Sequence, residues 1–313
     1  NPAFYDLIKD VLRFNKRAPE LLTAPDQSLT MGEYLRDENY GDYFCRYYIL
    51  PMGAAIWSQS MQAMLDFPAQ FFVRFFVNHG LLNITNRPQW YVVKGGSKSY
   101  VDKIYRSFPG KLYLETPAQR VKRFTDFAEV TSKRGTERFD AVFFACHADQ
   151  ALAILQDPSD EETSTLSALP YQQNTAILHL GDDLLPKRKL AGSSWNYRLT
   201  DNQGIGATVT YDMKKLQSLP LAGDICVTLN GGDDLDPAKI LAAMTYDHPL
   251  FSRQGVAAQK KMHLINGVKR TFYCGAYWRY GFHEDGVVSA LAALEHFNTW
   301  AKRHEQLSLH RTS

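Results

Sequence analysis

Apolar residues at helical spacing dominate residues 1–85 of the chain. They recur every three or four positions, first after Asn1 and Pro2, which suit an N-cap and the first position of a helix. Thr30 and Glu33 have the spacing of a capping box and therefore predict the start of another helix. The pattern predicts a block of helices that includes two over residues 53–65 and 67–79, the second closed by Gly80.

Strand patterns begin at Trp90. An apolar stretch over residues 90–93 is followed by Gly95, Gly96 and a helical run, which predicts a strand, a tight turn and a helix. The continuous apolar run over residues 141–145 is typical of a strand that is covered on both faces. Between them the pattern predicts a charged turn, preceded by short strands over residues 112–115, 121–124 and 128–131.

The middle third of the chain alternates apolar and polar residues. This alternation predicts a mostly antiparallel sheet, with strands over residues 176–180, 207–211 and 225–229. Asp236 and Pro237 then begin a short helix. The chain ends with a strand over residues 271–274, a loop, and a long helix from Gly286 whose inward side chains are predicted to be Val287, Leu291, Leu294 and Phe297.

The composition is that of a globular protein with two domains, or with one domain and a large insertion. The 313 residues are 45% hydrophobic and 22% charged, and single cores stop growing near about 250 to 300 residues. The chain carries 35 Lys and Arg against 33 Asp and Glu, so no net field attracts nucleic acid. The longest apolar run, at residues 71–77, contains Arg74 and is too short for a transmembrane segment, which leaves peripheral membrane contact and the oligomeric state open.

The motif inventory argues against several classes of protein. The sequence has no GxSxG, Walker A or HExxH motif, which argues against a hydrolase. Its four cysteines and nine histidines show no ligand spacing, so no metal is expected, and a reduced, cytoplasmic location is the default. The acidic stretch at residues 233–236 lacks the spacing of a calcium loop. Gly204 and Gly206 lack the third glycine of a dinucleotide-binding turn and are interpreted as part of a hairpin turn.

The stretch from Thr271 to Leu294 is the most informative part of the sequence. Gly275 ends a buried strand at a position where a small residue lets a ligand approach the backbone. Asp285 and Gly286 begin a helix whose amides and positive dipole end suit a pyrophosphate or the oxygen edge of a reduced flavin. On spacing alone, a plain strand, loop and helix connection with Asp285 as the N-cap is the somewhat better interpretation.

Three segments, in this order, resemble FAD-binding motifs of the flavin amine oxidase and phytoene desaturase superfamily. They are WYVVKGGSKSYVDKI at residues 90–104, FDAVFFACHADQAL at residues 139–152, and TFYCGAYWRYGFHEDGVVSALAAL at residues 271–294. The resemblance covers residues 1–303 and is closest to a bacterial subgroup of predicted FAD-binding, amine-oxidase-like proteins. Three motifs in the right order make a stronger signal than any one of them.

The resemblance implies an α/β fold, α+β overall, with an incomplete FAD-binding domain of the glutathione-reductase-like type and a substrate domain of antiparallel sheet and helices. The FAD-binding domain would comprise residues 86–157 and 264–313. The substrate domain would comprise the helical part at residues 1–85 and the sheet at residues 158–263. The cofactor-binding residues that the resemblance implies are Gly95, Gly96, Ser97, Val121, Gly275, Glu284, Asp285, Gly286 and Val287.

The resemblance also implies an FAD-dependent oxidoreductase that removes hydride from a substrate carbon. Its catalytic residues stay open, with His283, Tyr277 and Tyr280 as candidates. Core packing is the alternative for the aromatic residues that are candidates for lining the substrate site, namely Trp195, Tyr197, Phe72 and Phe76.

Many amine oxidases place a lysine on a substrate-domain strand, and the corresponding stretch here, residues 171–180, contains none. An apolar or lipid-like substrate is therefore expected rather than a primary amine. The alternatives are a flavin-free fragment that acts as an apolar-ligand binding module, and a purely structural interaction fragment.

One expected motif is absent from the 313 residues. Members of the superfamily begin with a strand, a GxGxxG turn and a helix, and no such motif precedes Trp90. Together with the helix boundary at Asn1 and the lack of an initiator Met, this favours a trimmed part of a longer protein. The chain alone is therefore expected to bind FAD weakly or not at all, and its activity is left open.

Overall fold

The chain is divided into two compact units in the computed structural model, which describes residues 2–26, 28–199 and 207–311. Unit 1 is formed by Asn1–Gly110 and Gln172–His248, and unit 2 by Lys111–Tyr171 and Pro249–Ser313. The hairpin turn predicted at Gly204 and Gly206 lies outside the described residues. Within the described part of the chain, no helix combines the length and hydropathy needed to cross a membrane.

Helices occur in both units. In chain order they are α1 Pro2–Arg17, α2 Met31–Asp37, α3 Asp42–Phe44, α4 Leu50–Trp57, α5 Met61–Leu65, α6 Ala69–Asn78, α7 Lys98–Ser107, α8 Ala148–Ile154, α9 Asp160–Leu166, α10 Met213–Gln217, α11 Arg253–Gln259, α12 Met262–Ile265 and α13 His283–Arg311. Short 3-10 turns lie at Ala18–Thr23, Lys189–Ala191, Pro237–Lys239 and Ala276–Trp278, and a π-helical turn lies at Cys45–Ile49.

Strands in the described residues form one sheet in unit 1 and two in unit 2. They are β1 Arg120–Arg123, β2 Ala128–Ser132, β3 Gly135–Phe139, β4 Val142–Phe144, β5 Tyr171–Leu180, β6 Trp195–Leu199, β7 Ala207–Asp212, β8 Ile225–Leu229, β9 Ile240–Pro249 and β10 Thr271–Tyr273. Unit 2 has an antiparallel meander in the order β1-β2-β3 and a parallel pair of β4 with β10. The sheet of unit 1 has the order β6-β7-β8-β5-β9, with antiparallel pairs β5–β8, β6–β7 and β7–β8, so the predicted antiparallel middle of the chain is confirmed.

The predicted helical block and its capping box are confirmed. The Thr30 hydroxyl accepts a hydrogen bond from the Glu33 amide at 3.2 Å, and the Glu33 carboxylate accepts one from the Thr30 amide at 2.8 Å. Phe14 of α1 is fully buried against Tyr34, Tyr40 and Phe44, with ring centroids 6.1, 5.8 and 5.7 Å away. These aromatic contacts supply the core, because short helices are marginal in isolation.

The prediction of one continuous helix over residues 53–65 is wrong. α4 ends at Trp57, Ser58 adopts a left-handed φ of 53°, and Ser60 caps the start of α5. Serine side chains compete with the helical hydrogen bonds and therefore favour such a break. Pro51, at the start of α4, lacks a backbone N–H, which accounts for the π-helical turn that precedes it.

The strands predicted at residues 90–93 and 112–115, both inside the described ranges, do not form. Their apolar side chains remain largely exposed, as Trp90 at 63% and Tyr91 at 86% show. Conversely, β9 and β3 were not predicted, and the segment of β3 was assigned to a charged turn. Every residue of β3 is exposed, so pairing with β2 rather than burial holds it in the sheet.

The last helix begins three residues earlier than predicted, at His283, and its inward face is a different one. Val287, Leu291 and Leu294 are 55%, 57% and 45% exposed, so the prediction that they face inward is wrong. The buried positions of α13 are Asp285, Ser289 and Ala293, which follow one another at a spacing of four residues. The prediction is confirmed for Phe297, which packs on Phe272 and Trp300 with ring centroids 5.4 and 5.8 Å away. In the first turns of α13, however, small and polar residues form the buried face, and apolar periodicity indicated the wrong side there.

A buried ionic network ties three segments of unit 2 together. Arg123 of β1 forms a two-pronged ion pair with Glu162 of α9, with one N–O distance of 2.8 Å, and both side chains are almost completely buried. The Glu162 carboxylate also accepts a hydrogen bond from the Tyr273 hydroxyl of β10 at 2.6 Å. Arg123 donates further hydrogen bonds to Thr271 and Asp157. Burial alone would raise the pKa of Glu162, but hydrogen bonds from Arg123, Tyr273 and the Ser159 amide together lower it below its ordinary 4.5.

We expect Glu162→Gln to lower the free energy of unfolding at pH 7 by about 3–5 kcal/mol, because it leaves Arg123 buried without its counter-charge. Because the pKa of Glu162 is lower in the folded than in the unfolded protein, its carboxylate stabilises the fold fully at pH values above the unfolded-state pKa. This contribution is lost as the pH falls through the folded-state pKa. Urea unfolding at pH 7 and pH 4 measures both effects. Glu161→Gln, one residue away and exposed, is the matched control. If both variants lost the same free energy of unfolding, the ion pair of Arg123 and Glu162 would not be the source of the stability.

Candidate cofactor site

The loop that connects β10 to α13, taken here with the first turn of α13 as residues 275–287, contains most of the predicted cofactor-binding residues. Ser289 fixes its geometry, because the Ser289 hydroxyl accepts a hydrogen bond from the Gly275 amide at 2.9 Å and donates one to the Gly286 carbonyl at 2.8 Å. Ser289 is 2% exposed. Sequence reasoning missed Ser289, and the only available signal was its position about one turn after Gly286.

Asp285 stabilises the start of α13. One carboxylate oxygen accepts a hydrogen bond from the Phe282 amide at 3.0 Å, and the other lies 3.4 Å from Nε of Arg279. The Gly286 amide already donates to the Phe282 carbonyl at 3.2 Å. The amides that helix geometry leaves without intrahelical acceptors therefore include those of Glu284 and Asp285 rather than that of Gly286.

Two of the three glycines at residues 275–287, Gly275 and Gly286, are predicted cofactor contacts, and their surroundings differ. A Cβ added to Gly275 would lie 2.3 Å from a ring carbon of Tyr277, so the Tyr277 ring itself excludes a side chain there. A Cβ added to Gly286 would meet no described atom within 4 Å, apart from the neighbouring backbone of α13 itself. Protein packing thus explains Gly275 and leaves room for a ligand at Gly286.

The candidate catalytic residues differ in exposure. Tyr277 and Trp278 are 3% and 5% exposed, and the Tyr277 hydroxyl and Trp278 indole nitrogen lie near each other without a hydrogen bond of normal geometry to any described atom. Burial raises the pKa of Tyr277 well above its usual range, so its hydroxyl stays neutral. Tyr280 is half-buried and His283 is exposed at the first residue of α13.

The other predicted cofactor-binding residues lie on two separate segments. Gly95 and Gly96 have φ of +81° and +78° and form an exposed turn that leads to Ser97 and α7 in unit 1. Val121 lies on β1 in unit 2, where it is buried and its carbonyl accepts a hydrogen bond from the Gln156 amide at 2.9 Å. The structure brings Gly275 and residues 284–287 together on one loop within unit 2.

The aromatic candidates for lining the substrate site pack against protein. Phe72 and Phe76 are each 1% exposed, with ring centroids 4.2 Å apart, and Phe72 packs on Trp57 at 5.5 Å. Trp195 and Tyr197 are half-buried on β6, and the Tyr197 hydroxyl donates a hydrogen bond to the Tyr47 carbonyl at 2.9 Å. Phe72 and Phe76 are therefore part of the core of unit 1.

A polar cavity of about 450 Å³ lies in unit 1, lined by side chains that the sequence did not single out. Gln59 and Gln172 contribute amides to its wall, and the Gln59 amide nitrogen is buried without a hydrogen-bond partner among the described atoms. Asn230 lines it too and donates to Asn174 at 2.6 Å. Among the described residues, no group of three or more His, Cys, Asp or Glu side chains is arranged to hold a metal ion.

Comparison with known proteins places this geometry in a known fold. No family model matches the chain, and no curated protein matches its sequence. A CLA-producing fatty acid isomerase from P. acnes is similar in structure, with a TM-score of 0.62 and 15% identity over 92% of this chain and 73% of that chain. Cyclohexylamine oxidase from Brevibacterium oxydans IH-35A gives a TM-score of 0.64 and 13% identity over 92% of this chain and 74% of its own.

A putative protoporphyrinogen oxidase from Exiguobacterium sp. 255-15 gives a TM-score of 0.57 and 13% identity over 90% of this chain and 72% of that chain. Together these neighbours show that the chain shares the fold of these two oxidases and of the isomerase. The resemblance stated from the sequence motifs is thereby confirmed at the level of the fold.

We expect Gly275→Ala to lower the free energy of unfolding by about 1–3 kcal/mol, because the new Cβ forces the buried Tyr277 ring to move. Thermal and urea unfolding measure the loss. Gly223→Ala is the matched control, since a Cβ at Gly223 meets nothing within 4 Å. A Gly275→Ala protein as stable as this control would show that the Tyr277 ring does not set the requirement.

Proposed function

We propose that the chain is the larger part of an FAD-dependent oxidoreductase, with the flavin held at the start of α13. The observation that carries this proposal is the combination of the superfamily fold with the loop at residues 275–287, where Gly286 has open space beside its backbone. The proposal keeps the domain division that the resemblance implies. Residues 86–157 and 264–313 would form an incomplete FAD-binding domain and the remainder the substrate domain, whereas in the structure residues 86–110 belong to unit 1.

The charges at the start of α13 favour one part of the cofactor over another. Glu284 and Asp285 place two carboxylates in the first helical turn, where they stabilise the helix dipole but repel a phosphate. Carboxylates accept hydrogen bonds from hydroxyl groups, and unpaired amides donate to carbonyl oxygens. The loop therefore suits the ribityl chain and the isoalloxazine edge of FAD, and the pyrophosphate requires a Gly-rich turn that these 313 residues do not contain.

The protein residues would position the cofactor and exclude water, while the flavin would accept a hydride from a substrate carbon. Val287 is exposed beside Gly286 and would contact the flavin through its methyl groups. Tyr277 is neutral and buried, so it would pack behind the cofactor rather than remove a proton. Tyr280 and His283 remain the candidates that a substrate could reach.

We propose an apolar or lipid-like substrate. The support is that β5 carries no lysine and that one solved protein of this fold is a fatty acid isomerase. Phe72 and Phe76 no longer contribute to this argument, because both are packed in the core of unit 1. Amines are the competing substrate class, because other solved proteins of the same fold are amine oxidases.

We expect Gly286→Ala to separate folding from flavin binding. Without flavin, the variant should be as stable as the parent or more stable by up to about 1 kcal/mol, because alanine is the better helix former and its Cβ meets no atom. Flavin titration of the protein made from the complete gene should show affinity at least about tenfold weaker, since the methyl group fills the space for the cofactor. Gly223→Ala should leave the affinity unchanged. Unaltered flavin binding by Gly286→Ala would place the cofactor elsewhere.

We expect unsaturated lipids to reduce the flavin and simple amines to leave it oxidised. Anaerobic mixing of the yellow holoprotein with unsaturated fatty acids, cyclohexylamine and putrescine, followed through the flavin absorbance, measures this. Bleaching by the amines alone would overturn the proposed substrate and leave the flavin proposal intact. A colourless protein that binds fatty acids without flavin would instead support the apolar-ligand binding module.

A further inference from the structure

A basic groove lies in unit 2, away from the loop at residues 275–287. It encloses about 780 Å³ and is bordered by the turn at residues 267–270 and by residues 296–304 of α13. Along the helix axis, His296 lies roughly 15 Å from Gly286, at 1.5 Å per residue. The volume is within the range of small-molecule sites, which is about 300–1,000 Å³.

The charge of the groove is strongly one-sided. Lys269, Arg270 and Arg303 line it together with Arg123, and Asp157 is the one carboxylate among the lining residues. Asp157 already accepts hydrogen bonds from Arg123 and lies 3.8 Å from Lys269. Counting the buried Glu162 as well, the groove retains two positive charges in excess, as many as the whole chain carries.

Two of these cations, Arg270 and Arg303, have no carboxylate partner among the described residues. The Arg270 guanidinium donates to the backbone carbonyls of Thr125 at 2.9 Å and Asp140 at 3.0 Å, and lies 5.4 Å from the Trp300 ring centroid. These contacts orient the guanidinium and leave its charge uncompensated. Arg303 has no ion pair to any described carboxylate.

The backbone that presents Lys269 and Arg270 is unusual. They are the central residues of a turn closed by a hydrogen bond from the Thr271 amide to the Val268 carbonyl, and their φ values are +45° and +68°. Two positive φ values are typical of a type I′ turn, which favours Asn-Gly because side chains disfavour left-handed backbone. Two long cations therefore occupy a turn that their own conformational preferences oppose, and such retained strain is common at ligand sites.

We propose that the basic groove is a binding site for a small anion that carries two or more phosphoryl groups. Guanidinium groups present paired donors that match phosphate oxygens, and the cations of the groove come from both the turn and α13, so they suit an extended anion rather than a single phosphate. The proposal does not depend on flavin binding.

Calorimetry of the 313-residue chain with inorganic tripolyphosphate at about 50 mM salt tests the proposal, since low salt preserves the attraction between exposed charges. We expect the chain to bind tripolyphosphate at one site. The affinity should fall about tenfold in Arg303→Gln, because this variant loses one charge-assisted contact. Lys302→Gln, on the adjacent residue outside the groove lining, is the matched control and should change affinity by less than about twofold. Equal losses in both variants, or no binding by the parent, would overturn the proposal.

The double variant Lys269→Asn/Arg270→Gly tests the turn directly. It installs the pair that a turn with two positive φ values prefers, so the turn should persist while the anion loses two of its cations. We expect a cooperative thermal transition and at least about a hundredfold loss of tripolyphosphate affinity. Retained affinity in the folded variant would refute the assignment of these residues.

Two further titrations identify the source of the phosphate groups. The first titration uses vesicles that contain phosphatidylinositol bisphosphate. If they bind more tightly than tripolyphosphate and lose the same affinity in Arg303→Gln, the groove binds phosphate groups and its ligand is a lipid headgroup. Tighter binding of free tripolyphosphate would support a soluble ligand. Displacement of tripolyphosphate by FAD, with an equal loss of FAD affinity in Arg303→Gln, would make the groove part of the dinucleotide site and overturn the proposal of a separate one.

Discussion

The buried pair of Arg123 and Glu162 is the interaction on which unit 2 depends. Each charge is costly to remove from water, and each is compensated by the other. Glu162 also accepts a hydrogen bond from the Tyr273 hydroxyl, and Arg123 donates hydrogen bonds to Thr271 and Asp157. The pair joins the meander that contains β1 to helix α9 and strand β10. Because β10 leads directly to the loop at residues 275–287, the same network positions the start of that loop. The outer side of Arg123 contributes to the basic groove, so one guanidinium supports both candidate sites.

At the start of α13, where the flavin is proposed to bind, two inward side chains fix the position of the helix terminus. Asp285 and Ser289 are turned inward and fix the loop to the helix, which leaves Glu284, Gly286 and Val287 on the accessible side. Both carboxylate oxygens of Asp285 already have protein partners, the Phe282 amide and Arg279. Its importance for flavin binding would therefore come largely through the position of the helix end.

The sequence predicted local structure well where the cause is local. The capping box of Thr30 and Glu33, the antiparallel middle sheet and the strand that precedes Gly275 depend on nearby residues, and all were predicted. The errors have causes at a distance. β3 pairs through its backbone although its side chains are all exposed, and the inward face of α13 is defined by Ser289 and Ala293, which apolar periodicity does not reveal. The ion pair of Arg123 and Glu162 joins residues 39 positions apart and has no sequence pattern. Gly275 and Gly286 were both predicted to contact the cofactor, and the position of the Tyr277 ring shows that packing within the protein accounts for Gly275.

The sheet of unit 1 contains a feature with consequences for how the chain folds. The buried imidazole of His179 on β5 contacts the Thr228 hydroxyl of β8 at 2.9 Å, and that hydroxyl contacts Thr210 of β7 at 2.9 Å. A shift of β8 by one residue would turn Thr228 to the opposite face and leave the buried imidazole and the Thr210 hydroxyl without partners. An all-apolar sheet of the same shape would tolerate such a slip at much lower cost. The contacts among His179, Thr228 and Thr210 therefore favour one strand register. Misaligned pairings of β5, β7 and β8 are disfavoured, because the native alignment satisfies all three groups.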